Sequence, residues 1–281
     1  MQHIAQAAIH FVQGFVMLYR KHLFVTCVAF SFTLFGCGGS GDAAENETPT
    51  QSNTLTTAEL ADGWRLLFDG ESFDGWRGLG RDSIPTSHWK IEDGNIRKIA
   101  SGDVPTAADG QPLEGGDILT IDTFENFELV LEWKVSPGAN SGIKYNVSEE
   151  MSTASPPDNA ALGFEYQIID DDTHPDAQVG GNRTTAGLYD LFPPSENKQL
   201  QPVGSYNEAR ILFRGTRGEH WLNGELVLEF ELGSASFDSA FAVSKYQPIA
   251  GFAEKRAGHI VLQDHGDDVW FRNIKIRELT P

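Results

Sequence analysis

From residue 127 the chain alternates. Phe127, Leu129, Leu131, Trp133 and Val135 are separated by Glu128, Val130, Glu132 and Lys134, the period-two pattern of a strand with one buried face. Ile143, Tyr145 and Val147 alternate with Lys144 and Asn146, and Phe164, Tyr166 and Ile168 alternate with Glu165 and Gln167. Residues 209–214 lead through 215–218 into 219–222, where Asn223-Gly224 reverses the chain toward Leu226, Leu228, Phe230 and Leu232. An Asn-Gly pair between alternating runs predicts a hairpin, because both turn positions take positive φ. Residues 259–264 and 269–277 form a further pair around His265-Gly266-Asp267. No segment repeats its apolar residues every 3.6 positions over ten or more residues. The pattern therefore predicts an all-β sandwich, built as one domain over residues 58–281. Residues 149–161 and 170–185, rich in Pro, Asp, Asn and Gly, read as loops able to wall a groove.

The N-terminal region has a different logic. An apolar run over residues 24–36 follows Arg20, Lys21 and His22 and ends at Cys37. A short cationic head before a short apolar segment is an export signal, and the run falls short of the roughly 20 apolar residues that span a bilayer. Leu34-Phe35-Gly36-Cys37 resembles a bacterial lipobox, so Cys37 is expected to be lipidated and to become the new N-terminus. Residues 1–37 are then a lipoprotein signal peptide, and Met17 would give a head of ordinary size, which makes it the expected true start. Residues 38–57, polar and almost without apolar content, read as a flexible tether. The expected location is the bacterial cell envelope, with a lipid anchor as the only membrane attachment. Gly38, rather than aspartate, after the cysteine favours the outer membrane.

Charge narrows the partners. The chain carries 21 Lys+Arg against 40 Asp+Glu, a net charge of −19. Residues 1–37 contribute two of the basic residues and no acidic ones, so the exported part is more acidic still. Nucleic acid is excluded as a natural partner, since phosphate binding needs concentrated positive charge. Cys27 lies within the signal and Cys37 at its end, leaving the exported domain without a disulfide, a cysteine cluster or a cysteine nucleophile.

Nine motifs then appear in order. They are WRLLFDGESFDGW (64–76), WKIEDGNI (89–96), NSGIKY (140–145), GFEYQIID (163–170), GLYDL (187–191), GSYN (204–207), HWLNG (220–224), GHIVLQDHG (258–266) and VWFRNIKIREL (269–279). Together they resemble the 3-keto-disaccharide hydrolase domain family. The resemblance implies a concanavalin A-like jelly-roll β-sandwich of two antiparallel sheets. It also implies hydrolysis of glycosides oxidised to a ketone at the third ring carbon, and hence an upstream sugar 3-oxidoreductase that supplies them. Asn146, Tyr206 and Phe164 depart from the residues common at those positions and bear on substrate range.

The residues suggest chemistry of their own. With Phe164, Tyr166 and Ile168 facing the core, Glu165 and Gln167 point together from the other face. Gln263 and His265 share one side of a strand end, and histidine titrates near neutrality. Lys144, opposite the apolar residues of its strand, can polarise a ketone oxygen, and Asn140, Gln167, Gln263 and Arg272 are expected to hold sugar hydroxyls. The catalytic set is thus Glu165, His265 and Lys144. The acidic run 170–172 with His174 and Asp176 can hold a divalent cation such as calcium, which takes several oxygen ligands. Trp64, Trp76, Trp89 and Trp221 are expected mostly in the core, and His220 in a hairpin role. An ordinary glycosidase needs two carboxylic acids, and no second glutamate motif accompanies Glu165. A keto-sugar needs only one base, one acid and one group to stabilise an enolate, for cleavage by β-elimination followed by hydration. The alternative is a lectin-like lipoprotein that binds carbohydrate without turnover, since the fold alone does not decide.

Overall fold

Alternation along each run resolves into strands of two antiparallel sheets. The computed structural model describes residues 52–104, 114–154 and 160–281; the signal segment, Cys37 and most of the tether lie outside them. The strands are β1 (Arg65–Leu66), β2 (Trp76–Gly78), β3 (Trp89–Glu92), β4 (Asn95–Lys98), β5 (Ile118–Thr120), β6 (Phe127–Val135), β7 (Asn140–Val147), β8 (Phe164–Ile169), β9 (Asn207–Arg214), β10 (Arg217–Leu222), β11 (Glu225–Glu231), β12 (His259–Leu262) and β13 (Val269–Glu278). One sheet runs β11-β10-β9-β6-β13-β4-β3, with β1 also paired to β13. The other runs β2-β5-β12-β7-β8. This is the expected all-β jelly-roll sandwich. The chain reverses between β10 and β11 at Asn223 (φ 50°) and Gly224 (φ 83°), as the Asn-Gly pair predicts.

The core lies between the sheets. Phe127, Leu129, Leu131 and Trp133 of β6 meet Ile143 and Tyr145 of β7 and Phe164, Tyr166 and Ile168 of β8 in one buried cluster. Phe164 is a hub, with edge-on contacts to Phe213, Phe230, Phe237 and Phe252 at centroid separations of 5.7–6.1 Å. Such pairs add about 0.5–1.5 kcal/mol each beyond their buried area. His220 lies in the β10–β11 hairpin as expected, with its side chain buried against this cluster. It is fully buried, and burial lowers its pKa to about 4. With Nδ1 3.0 Å from the Ala186 carbonyl and Nε2 2.8 Å from the Tyr145 hydroxyl, the neutral ring donates from Nδ1 and accepts at Nε2.

Among the described residues three short α-helices depart from the strand-only expectation: α1 (Thr57–Ala61), α2 (Glu149–Ser152) and α3 (Ala235–Val243). The α1 cap is a capping box, Thr56 accepting from the Glu59 amide and Glu59 from the Thr56 amide. Upstream, Asn53 and Asn273 exchange hydrogen bonds between each other's backbone amides and side-chain oxygens, and Asn53 Nδ2 donates to the Gly94 carbonyl at 2.8 Å. The fold therefore begins by Asn53, several residues before the end of the expected tether. No helix among the described residues is long and apolar enough to cross a membrane.

Candidate active site

Because Ile143, Tyr145, Phe164, Tyr166 and Leu262 face the core, their neighbours face outward from the second sheet. Register places Val261, Lys144 and Glu165 in one cross-strand row, with Gly142 and Gln167 in the next. Half of this outer face is closed by a small apolar cluster of Leu79, Leu119, Val147, Ala161 and Val261. The other half is polar, and Glu165 is at its centre.

Glu165 is 4% exposed. Its carboxylate lies over Gly142, where a Cβ would fall 2.4 Å from Oε1; the glycine is required by this close approach. Lys144 Nζ stands 3.7 Å from Glu165 Oε2 and donates to the Ala161 carbonyl at 3.2 Å. At an effective dielectric of about 20, two charges at that separation attract by ~4 kcal/mol. Burial nevertheless wins. The Glu165 pKa is raised by desolvation, with Lys144, Lys245 and His265 pulling it back and Asp117 adding to the rise. Asp117 itself accepts from the Asp264 and Ala161 backbone amides.

Beyond Gly142 lie the amides and histidines. Asn140 is 3% exposed, with Nδ2 3.5 Å from His265 Nε2, and its Oδ1 is a buried acceptor without a hydrogen bond, as is Gln263 Oε1. Gln167 shares the face but turns back on itself, its Oε1 accepting from the Ile168 amide and its Nε2 lying 3.5 Å from the Arg183 carbonyl. Asn140, Lys144, Glu165, Gln167, Gln263 and His265 are thus brought together.

Arg272 is not among them. It lies on the outer face of the first sheet, its Nε donating to Glu132 Oε2 at 2.7 Å and its guanidinium 3.7 Å from the Tyr206 ring centroid. The expectation of a sugar contact there is corrected: β13 belongs to the other sheet, and its polar face points away from Glu165. Trp64 and Trp221 also lie on that face beneath arginines, whereas Trp76 and Trp89 are buried as expected.

The acidic run is also already engaged. Asp170 accepts from Gly138, Asp172 and Thr173, Asp171 pairs with Lys198, and Asp176 pairs with Arg183 and the Tyr189 hydroxyl. His174 instead reaches His265 and Asp267, the three offering ligand atoms within 4.8 Å of one another. The Asp176 amide donates to His174 Nδ1 at 3.1 Å, which puts the proton of a neutral His174 ring on Nε2.

Sequence reasoning missed the far wall. Tyr189, whose amide donates to the Glu165 carbonyl at 3.0 Å, and Tyr246 bracket Lys245, with Nζ 4.2 and 5.0 Å from the two ring centroids. These residues come from irregular segments without periodicity; GLYDL, quoted among the motifs, was the only signal for Tyr189.

A desolvated carboxylate flanked by ammonium groups, amides and a histidine thus lies on the face of a β-sandwich, and the relatives give the class: a carbohydrate hydrolase of glycosidase type. The chain belongs to the 3-keto-alpha-glucoside-1,2-lyase-like domain family, whose model matches residues 63–277. It is 37% identical to the 3-keto-disaccharide hydrolase of Bacteroides thetaiotaomicron, over 91% of this chain and 97% of that one. A crystal structure from Parabacteroides distasonis, described as a candidate glycosyl hydrolase, aligns with a TM-score of 0.69 at 32% identity over 82% of this chain and all of that one. A second from the same organism, described likewise, gives 0.54 at 26% identity over 77% and 99%. The chain is accordingly an enzyme rather than a lectin.

Proposed function

We propose that this protein cleaves the glycosidic bond of 3-keto-glycosides, including 3-keto-disaccharides, by β-elimination followed by hydration. The observation that carries the reading is Glu165, one desolvated carboxylate with raised pKa at the centre of a face rich in ammonium and amide groups. The neighbouring acids are held by other partners: Asp117 by backbone amides, Asp176 by Arg183 and Tyr189, and Asp267 by the Asn140 amide. Two free carboxylates, as an ordinary glycosidase requires, are not what this arrangement supplies. A ketone at the third carbon acidifies the hydrogen on the second. Glu165 removes that proton, and the C–H electrons pass into an enolate. Collapse of the enolate re-forms the ketone, makes a double bond between the first and second carbons and breaks the bond to the aglycone oxygen, which takes a proton from His265. Water then adds to the first carbon and a proton returns to the second, so the net change is hydrolysis. Lys144, paired with Glu165, opposes the rise in its pKa that burial causes. Asn140 Oδ1 and Gln263 Oε1, buried acceptors without partners, would receive sugar hydroxyls.

The test compares matched glycosides, native and oxidised at the third carbon. Aglycone release from the keto form alone is expected; release from the native form at a comparable rate would sink the reading. A divalent cation at His174, His265 and Asp267 is one conceivable source of carbonyl polarisation. It requires the His174 ring to give up its Asp176 hydrogen bond, so turnover is expected to persist after dialysis against EDTA, and loss restored by added metal would favour the cation. The ketone itself must come from a sugar 3-oxidoreductase.

We further propose that Cys37 carries a lipid and tethers the enzyme to the bacterial cell envelope. Metabolic labelling with a palmitate tracer should mark the wild type and not Cys37→Ala; equal labelling of both would exclude the anchor at this residue.

A further inference from the structure

We propose that Lys245 is a catalytic residue whose ammonium binds the substrate ketone oxygen and stabilises the enolate formed when the neighbouring proton is removed. The inference rests on the keto-glycoside reading above and assigns the group which that reading leaves open.

Placement comes first. Lys245 follows α3 and is held from both sides. Its amide donates to Asp190 Oδ2 at 2.8 Å, and Asp190, at φ 60°, is itself gripped by Arg183 through Nε and Nη2 at 3.2 and 2.9 Å. On the other side Tyr246 is buried and stacked on Phe252 with centroids 4.0 Å apart. A backbone fixed this firmly in an irregular segment aims the side chain instead of leaving it to solvent.

The head group comes second. Among the described residues the ammonium meets the faces of Tyr189 and Tyr246 and no hydrogen-bond acceptor. Lys144, by contrast, has the Ala161 carbonyl and Glu165. Aromatic faces attract a cation without using its N–H groups, so all three donors remain for a substrate oxygen. Desolvation lowers the Lys245 pKa, and Glu165 is its leading charge partner, which places the ammonium within the electrostatic field of the base. The amide of Tyr189, whose ring Lys245 covers, donates to the Glu165 carbonyl, tying the two sides of the site together. A base on the sheet and an unspent cation on the facing loop suit a substrate lying between them, with its acidic C–H toward Glu165 and its ketone oxygen toward Lys245. As electrons leave the C–H bond, negative charge grows on that oxygen, and a donor already in position stabilises it without reorganisation.

The experiment uses Lys245→Met, which keeps the stem over the two rings, and Lys245→Ala with added alkylammonium, both on the full chain. Two readouts are taken: aglycone release and deuterium exchange into the carbon beside the ketone. Loss of one such donor lowers kcat by about 10²–10³-fold, and exchange should fall in parallel. Lys245→Ala should recover part of its rate with ethylammonium, a rescue that a packing role would not produce. The affinity of each variant for the native glycoside should stay within about threefold of wild type, since uniform binding is not what the residue supplies. Turnover of Lys245→Met within about threefold of wild type would overturn the assignment, as would a fall in release with exchange unchanged. Absence of keto-glycoside turnover in the wild type would instead overturn the functional reading on which the assignment rests.

Discussion

Glu165→Gln should lower kcat/KM on a 3-keto-glycoside by about 10²–10⁴-fold, the range for loss of a positioned general base, without weakening the fold. The amide fills the same space over Gly142, where Oε1 of the native side chain already leaves no room for a Cβ, so what is lost is basicity together with the charge paired to Lys144, an attraction that burial of the carboxylate already outweighs. The stability prediction has the opposite sign to the activity prediction. Because burial raises the folded-state pKa of Glu165, the ionised form is less favourable folded than unfolded. The stability contributed by the neutral form is fully present below the unfolded pKa and is lost as pH rises through the folded value. Glu165→Gln removes that loss, so its melting temperature at neutral or mildly alkaline pH should equal or exceed the wild-type value. In the native enzyme the same shift moves the acid limb of the kcat/KM profile above the ordinary glutamate range. Lys144→Met, which deletes the nearest opposing charge, should move it higher still. An acid limb at or below the ordinary value, or a Gln variant with near-native turnover, would remove Glu165 from the role of base. Gly142→Ala provides a geometric companion, since the added methyl must displace the carboxylate while leaving its charge in place.

The alternation of residues 127–135, 140–145 and 164–169 was enough to say which side chains point inward, and therefore that Lys144, Glu165 and Gln167 share the outward side; it failed at Val147, which follows Asn146 at φ 57° and a register shift against β12 and joins the outer-face cluster. It could not say which sheet each strand joins. Arg272 alternates with Phe271 as convincingly as Lys144 does with Ile143, yet β13 inserts between β6 and β4 in the first sheet while β7 pairs with β8 and β12 in the second. Sheet membership depends on pairing across 100 or more residues, and the local period carries no trace of it. The helix α3 was invisible for a related reason: of its nine residues only Phe237 is buried, so no stripe repeats. Lys245 and Tyr189 belong to irregular segments, where the side-chain direction is set by caps and hydrogen bonds rather than by any period. The family resemblance reached the fold and the region of the site together. The sorting of its polar residues into a substrate face and a distant ion-paired face needed the coordinates.

Asp264→Ala is expected to destabilise the protein by about 3–5 kcal/mol, the loss typical when one member of a buried ion pair is removed. For a domain of this size that corresponds to a fall in melting temperature on the order of 10 °C. Lys98, with a side chain 0% exposed, forms an ion pair with Asp264 Oδ1 at 2.9 Å and donates to the Ile99 carbonyl at 2.6 Å. Asp264 Oδ2 lies 3.3 Å from His88 Nδ1 and accepts from the Gly116 amide at 2.9 Å, while Oδ1 also accepts from the Gly266 amide at 3.1 Å. One carboxylate thus joins β4 of the first sheet to the segment entering β5 and to the turn after β12 in the second. Alanine would leave the Lys98 charge inside the protein facing a void, and would free the turn that presents His265. Asp264→Asn keeps much of the hydrogen bonding and should be milder. The double variant Lys98→Met, Asp264→Leu should recover part of the loss, since apolar pairs of similar volume commonly match or exceed buried ion pairs in stability. Calorimetric melting of the four proteins checks this. An Asp264→Ala melting temperature within about 2 °C of wild type would mean that Lys98 finds solvent or another partner readily, and that the turn bearing His265 is held by β12 and β13 alone.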